Sequence, residues 1–573
     1  MRQRTDGRRA AWARIAVLLA TLALAACRSP ATHQRRANET AYRLLQEKDA
    51  VVPGVAPGFR VETPYTARAP ASIPPAEITA DREQPGAVRV GLGDCLRLAE
   101  EHNRSFQRQR EDLFLAALTL STERHRYDWL PAGTVSATGE RLAGGDASGT
   151  VGSAFSLGRL FRNGSQLTLT AANNLVRYYA NDPRGSASSL LGLDFVMPLL
   201  RGSGAAIAAE NLTQAERDVI YAMRNYARFQ QTFGVELASR FYRLVQQQDT
   251  VTNEYNTYTN LRLGRQRAAA LAGDRLPAFQ VDQARQDELA ARNRYLLAVQ
   301  RYQDELDNFK LFLGLPLTHD LRLDPGELTT LQAQAPAPVT TTEVAAWELA
   351  KRRRLDLLNE FGRFDDAKRR VAVSADQLGM DLTLHAGATL PATGNAHFQD
   401  PEFRHWTGNL GLTADLPFDR VSEANAYRGA LIDFERQLRA LGEALDQVRD
   451  GLRGDLRGLD QARQRYQIQK TAVALAEKRV ESANLLLLAG RVEVRDLLEA
   501  QNSLLAARNA LTQALVDHHL ARLSLWRDLG TLQWTPTGLQ EAEPLPPPGA
   551  ATVPAAGDNT DAAVITPAEL FGN

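Results

Sequence analysis

One unit written twice along the chain constrains its fold more than any other feature. The tripeptide LAG occurs at 271–273 and again at 488–490, and LAARN occurs at 289–293 and again at 505–509. The first pair is offset by 217 residues and the second by 216, and Gly314 and Gly530, which end the helical stretch in each half, are also 216 apart. Chance matches do not hold one register over three landmarks. The chain therefore reads as two copies of a unit with a very long helix, a tight tip and a shorter returning helix.

The helical signal is strongest in the second copy. Leu431, Leu438, Leu445, Leu452, Leu459, Tyr466, Val473, Val480 and Leu487 recur every seven residues. Phe434, Leu441 and Val448, then Ala462, Ala476 and Ala483, fill the alternate seam position. Such a seam winds helices into a left-handed supercoil. Gly451, Gly454 and Gly458 lie inside it, where small residues permit close helix approach. A helix over 424–488 would run roughly 100 Å at about 1.5 Å per residue. The first copy has the matching block at 205–271, with Leu212, Val219, Tyr226 and Phe233 in one heptad phase and Leu237, Leu244, Val251 and Tyr258 in another. The jump of four residues between the phases is a stutter.

Shorter helical blocks at 94–129 and 342–378 precede the long ones, and alternating stretches stand between. Residues 381–390 place Leu382, Leu384, Ala386, Ala388 and Leu390 on one face and Thr383, His385, Gly387 and Thr389 on the other. Leu410, Leu412, Ala414 and Leu416 alternate with Asn409, Gly411, Thr413 and Asp415; Val135, Ala137 and Gly139 alternate with Thr134, Ser136 and Thr138; Leu191, Leu193 and Phe195 alternate with Gly192 and Asp194. Four strands of this kind suit a membrane β-barrel with a wet interior, and they are too few to close a pore from one chain. The first hairpin, from Pro131 to Pro198, is about thirty residues longer than the second, from Gly379 to Pro417. Within that excess Leu167, Leu169 and Ala171 alternate with Gln166, Thr168 and Thr170, which suits either a barrel extended above the membrane or a surface hairpin.

The N-terminus reads as an export signal. Arg2, Arg4, Arg8, Arg9 and Arg14 precede a short apolar run at 15–25, too short for an ordinary membrane helix. Leu24-Ala25-Ala26-Cys27 resembles the lipobox of bacterial lipoprotein precursors, which implies lipid attachment at Cys27 and cleavage after residue 26. Arg28 stands where an inner-membrane retention signal places Asp, which favours the outer membrane. Cys95, the second of two cysteines, reads as a buried helix residue. Residues 28–87 and 536–573, rich in Pro and Ala, read as an extended strap and a mobile tail. Formal net charge is zero, so composition gives no sign of nucleic-acid binding.

The order of lipobox, short helix, hairpin, long helix, tip and return helix, then the same again, resembles the TolC-type outer-membrane factors over residues 90–532. VMPLLRGSG around Pro198, DLPFDR around Pro417 and LLLLAGRVEVRDLLEAQNSLLAARNAL at the second tip carry the likeness. The resemblance implies an α+β membrane protein: a trimeric β-barrel of four main strands per chain, twelve in total, continued by a long α-helical coiled-coil barrel. It also implies the exit duct of a tripartite efflux or type I secretion system. Its partners would be a periplasmic adaptor, an inner-membrane pump of the RND or ABC type and outer-membrane lipid. The implied organisation is a signal peptide at 1–26, a lipid-anchored linker at 27–89, a first repeat at 90–316, a linker at 317–341, a second repeat at 342–532 and a flexible tail at 533–573. A periplasm-spanning coiled-coil lipoprotein or an adaptor is the alternative, disfavoured by the duplication and the strands.

The resemblance further places an acidic aperture at Asp496 and Glu499, which share a helix face at i,i+3. In the first copy Gln280 stands at the corresponding position, with Asp282 nearby. The tips, Gly273, Asp274 and Arg275 and then Gly490, Arg491 and Val492, would contact the adaptor. Enzymatic readings find no support: GxxxxGK[ST], GxSxG, HExxH and CxxC are all absent. His518-His519 has no companion ligands in sequence and reads as ordinary helix packing, so no catalytic residue, metal or cofactor is expected.

Overall fold

The structure is a computed structural model. It describes residues 29–542 apart from 53–54, 56–57, 142–146, 179–184, 272–276, 325, 334–335, 337–340, 394–404, 417, 490 and 536–537. Helices α1 (Pro30–Lys48) and α2 (Pro75–Glu83) lead to strand β1 (Gly86–Val90) and helices α3 (Leu92–His102) and α4 (Arg104–His125). Four strands follow: β2 (Leu130–Arg141), β3 (Ala147–Leu160), β4 (Gln166–Tyr178) and β5 (Gly185–Pro198). The long α5 (Glu210–Leu271) and returning α6 (Ala278–Leu313) complete the first half, and β6 (His319–Leu323) and α7 (Gly326–Ala333) connect to the second. There α8 (Glu343–Arg353), α9 (Leu355–Asp376), β7 (Asp381–Thr393), β8 (Thr407–Asp415), α10 (Val421–Leu488) and α11 (Val494–Leu529) repeat the order, before a small hairpin of β9 (Leu532–Thr535) and β10 (Gly538–Glu541).

Corresponding helices match in length: α4 and α9 have 22 residues each, and α6 and α11 have 36 each. The long helices have 62 and 68. The two short blocks read from sequence as single helices are each broken once, at Asn103 and at Arg354, both in extended conformation. Each break lies against the glycine that ends a return helix. Gly314 and Gly530 take left-handed backbone, with φ of 83° and 75°. A Cβ on Gly314 would collide with the His102 carbonyl, and one on Gly530 would lie 2.8 Å from the Arg353 carbonyl carbon and oxygen. Glycine is needed there for both conformation and space.

The main core lies where α3, α4, α5, the end of α6 and α11 converge. Phe106 is fully buried at its centre, with Tyr226, Phe229, Phe233 and Trp534 within 5.6–6.0 Å between ring centroids. Two sequence expectations are corrected here. The strap at 27–89 is not merely extended: α1 buries Ala41, Leu44 and Leu45 against α4, and Arg124 holds Glu47 through two hydrogen bonds of 2.9 Å. Farther along the strap, Arg82 donates to the Gly314 carbonyl at 2.8 Å and β1 pairs in parallel with β6. The tail at 533–573 begins as the β9–β10 hairpin, whose Leu539 and Trp534 sit over Gly234 of α5.

A third correction concerns the sheet. Four main strands were expected, yet six share it, in the order β2-β3-β4-β5-β7-β8, every neighbour antiparallel. The extra length of the first hairpin is the β3–β4 pair, inserted between β2 and β5. Among the described residues no helix is long and apolar enough to cross a membrane.

Candidate pore wall and tip

Side chains alternate across a strand, so the register of the six-stranded sheet fixes its two faces. One face carries the row Pro131, Leu157, Leu169, Leu193, Ala388 and Gly408, and beside it Gly133, Phe155, Ala171, Leu191 and Leu390. Nearer the helices, Arg159, Leu167, Phe195, Ala386 and Leu410 form a third row, apolar except for Arg159 at its β3 end, followed by Met197, Leu384 and Leu412. The opposite face carries Ala132, Ser156, Thr170, Gly192, Thr389 and Thr407 in one row, and Thr168, Asp194, Gly387 and Asn409 in the next. The apolar face is uncovered: Val135, Phe155, Leu410 and Leu412 are 68%, 51%, 78% and 64% exposed. Trp129 below β2, Phe418 below β8 and Trp406 above β8 are exposed near the ends of the sheet. Among the described residues neither β2 nor β8 has a partner on its outer side. A continuous uncovered apolar face bounded by two free edges is unstable in water.

Four of the strands adjoin helices in sequence: α4 leads into β2, α9 into β7 and β8 into α10 through short links, and β5 into α5 through residues 199–209, which include a helical turn at Ala205–Ala208. Beneath the sheet these helices pack side by side in the order α4, α5, α9, α10. Buried polar contacts lock them. Tyr221 of α5 donates to Asp366 of α9 at 2.8 Å, and Arg217 and Arg369 pair with the same carboxylate. Burial alone would raise Asp366, but the hydrogen bonds from Tyr221, Gln214 and Arg369 hold it below the usual carboxylate range.

At the far end of the helices, the tip residues Gly273, Asp274, Arg275 and Gly490 lie outside the described residues, as does the lipid-attachment candidate Cys27. Arg491 and Val492 are described, and the Arg491 amide donates to the Leu486 carbonyl at 2.9 Å. Asp496 and Glu499 stand on the first turns of α11, half-buried and exposed respectively. Each has a local partner that spacing did not reveal. Asp496 accepts from the Glu493 amide at 3.2 Å, closing a capping box. Glu499 pairs with Arg479 of α10 at 2.7 Å, and Glu477 with Arg508 at 2.8 Å, two ties across the α10–α11 hairpin. Gln280 and Asp282 lie on the first turns of α6, half-buried and exposed.

The remaining sequence candidates are packing residues. Cys95 is fully buried, and burial pushes its thiol far up. His519 meets the Tyr242 ring edge-on at 4.8 Å, and burial pulls it down to about 3 and His518 to about 4. Among the described residues no cluster of His, Cys, Asp or Glu could hold a metal ion.

No protein-family model matches the sequence, and no curated protein matches it. Solved structures do. The outer-membrane protein VceC from Vibrio cholerae superposes with a TM-score of 0.55 at 16% identity, covering 77% of this chain and 96% of that one. The open state of the MtrE outer-membrane channel of Neisseria gonorrhoeae gives 0.57 at 13%, covering 77% and 88%. The outer-membrane channel OprN gives 0.54 at 16%, covering 77% and 89%. The chain has the fold of the TolC-like outer-membrane channels.

Proposed function

We propose that this protein is an outer-membrane exit channel in which three copies close one barrel and one helical tube. The observation that carries this reading is the sheet: an apolar face left bare, a polar face behind it and two unpaired edges, all standing on long helical hairpins. A barrel closed from several copies removes the edges and turns the bare face to lipid. On this reading Cys27 carries lipid, and the tips, with Arg491 and Val492 among them, meet a periplasmic adaptor that leads to an inner-membrane pump of the RND or ABC type. Asp496 and Glu499 of three copies converge on the narrow end of the tube.

The test is fractionation followed by sedimentation. Protein expressed with its signal should band with the outer membrane and sediment in detergent as a trimer, and palmitate should label the parent but not Cys27→Ala. A folded, stable monomer, or recovery in the soluble fraction, would overturn the channel reading. Equal labelling of the two proteins would remove the lipid anchor alone.

A further inference from the structure

We infer that the inserted β3–β4 hairpin is part of the membrane wall, so that three copies close an eighteen-stranded barrel rather than a twelve-stranded one. This rests on the channel reading above and adds to it the width and lining of the outer-membrane segment. Three observations lead there.

The first is register. The hairpin's apolar residues fall in the same rows as those of the four helix-adjoining strands: Phe155 and Ala171 with Leu191 and Leu390, and Leu157 and Leu169 with Leu193. A hairpin standing clear of the membrane in water would have no reason to keep Phe155 about half exposed in that row.

The second is where the hairpin turns. Its β3–β4 turn, residues 161–165, sits at the helix end of the sheet, so β3 and β4 traverse the same depth as β2 and β5. The turn is docked there. The Phe161 amide donates to the Ser165 carbonyl at 2.8 Å, and the Gly204 amide to the Asn163 carbonyl at 3.2 Å. Gly164, at φ of 89°, leaves a Cβ no room, since it would lie 2.8 Å from the Gly202 carbonyl oxygen and 3.1 Å from the Ala208 Cβ. The Arg159 guanidinium lies over the Trp129 and Phe161 rings at 5.4 and 5.2 Å.

The third is width. Strands about 4.8 Å apart and tilted about 40° each take roughly 6 Å of circumference, so six take about 38 Å and four about 25 Å. Four helices side by side at about 9–10 Å take about 38 Å. Six strands therefore cap the row α4, α5, α9, α10 without a mismatch at the junction. Eighteen strands would give a backbone diameter of about 36 Å, against about 24 Å for twelve. The added wall is neutral on its polar face, with Thr150, Gly152, Ala154, Ser156 and Gly158 on β3 and Thr168, Thr170, Ala172 and Asn174 on β4. The barrel is thus a wide, small-residue, hydroxyl-lined vestibule suited to bulky hydrated cargo. Size and charge selection fall to the narrow tip.

The experiment places one cysteine at a time in the full-length protein, labels it with an environment-sensitive fluorophore, and reconstitutes it in phosphatidylcholine vesicles. The parent, in which Cys95 is buried, sets the background. Phe155→Cys and Leu169→Cys should be quenched by brominated lipid and shielded from iodide; Ser156→Cys and Thr170→Cys should show the reverse. Leu193→Cys and Leu410→Cys report on the helix-adjoining strands. If these two resist brominated lipid, the channel reading fails. If they are quenched while Phe155→Cys and Leu169→Cys see iodide, only the eighteen-stranded wall is overturned. Native mass spectrometry from nanodiscs should give three copies. Two copies, which would make a twelve-stranded barrel, also overturn it.

Discussion

At the residue scale, the two helix-ending glycines are constrained twice, by conformation and by space. An L-residue held in left-handed backbone costs about 1–2 kcal/mol before any collision is counted. At Gly314 and Gly530 a methyl also meets main chain of the preceding short-helix break, which cannot swing aside as a side chain could. Gly530→Ala should therefore lower the melting temperature clearly more than Gly451→Ala, where a Cβ meets nothing in the chain and Ala favours the helix. Equal melting of the two variants would remove the joint from the account. Beside that joint lies a charged cluster joining the halves: Arg228 of α5 donates to Asp528 at 2.8 Å, Arg354 and Asp356 pair at 2.9 Å, and Arg527 reaches Asp528 at 2.7 Å. Asp455 faces this cluster from α10 with Oδ2 buried and no donor. Burial, then the Asp528 carboxylate, pushes it up to about 7. Burial alone would raise Asp528 too, but Arg527 and Arg228 hold it well below the ordinary range. A raised folded-state value favours the fold at low pH, and that contribution is lost as pH climbs from about 4 through about 7. Asp528 acts oppositely, its contribution falling away only below about pH 4. Asp455→Asn should thus melt higher than the parent at pH 8, with the gap closing toward pH 4; a gap constant across that range would mean Asp455 does not titrate with folding.

At the element scale, the long helices were legible because a seven-residue period survives any amount of surface variation. Each return helix ends where its glycine stands, and those ends are 216 residues apart. Strand β3 was not legible, since Gly149, Gly152, Gly158 and three serines dilute its alternation to Val151, Phe155 and Leu157. Helix α1 hid for a different reason. Its buried side is only Ala41, Leu44 and Leu45, a single turn within a polar segment. The partners at the tip were beyond reach because Arg479 comes from the opposite arm of the hairpin, twenty residues before Glu499, and no spacing rule pairs them. What the single chain leaves unburied carries the next expectation. Ile468 and Leu475 on α10 are 64% and 62% exposed, one heptad apart, and Leu289 and Leu296 on α6 form a similar pair at 57% and 55%. Two apolar stripes at coiled-coil spacing fit the seam between neighbouring copies. Ile468→Lys with Leu475→Lys should dissociate the oligomer in detergent while far-ultraviolet circular dichroism keeps its helical signal. An intact oligomer would return those residues to the lumen or the solvent.

For the whole molecule, the proposed channel reading makes the acids at the tip the groups that set the selectivity of the tube. Three copies would bring six carboxylates, from Asp496 and Glu499, toward one axis, and like charges gathered there set the local potential, whereas scattered surface acids are screened within about 8–10 Å. The local contacts dictate which substitutions are informative. Asp496 caps α11 through the Glu493 amide, so an alanine would fray the helix and mix a structural effect with an electrostatic one. Asn keeps an acceptor at that position and removes only the charge. Glu499 is held by Arg479, so part of its charge is offset by the opposite arm of its own hairpin. Asp496→Asn should therefore reduce cation selectivity and block by multivalent cations in planar bilayers more than Glu499→Gln does. Glu499→Gln, which releases the tie nearest the tip among the ion pairs across the α10–α11 hairpin, should instead raise the frequency of opening. Arg479→Gln separates the effects, because it breaks the same tie yet leaves the Glu499 charge: opening should rise as in Glu499→Gln while selectivity for cations strengthens. If all three variants conduct, select and block like the parent, Asp496 and Glu499 are a helix cap and a surface ion pair, and the narrow point of the duct lies elsewhere.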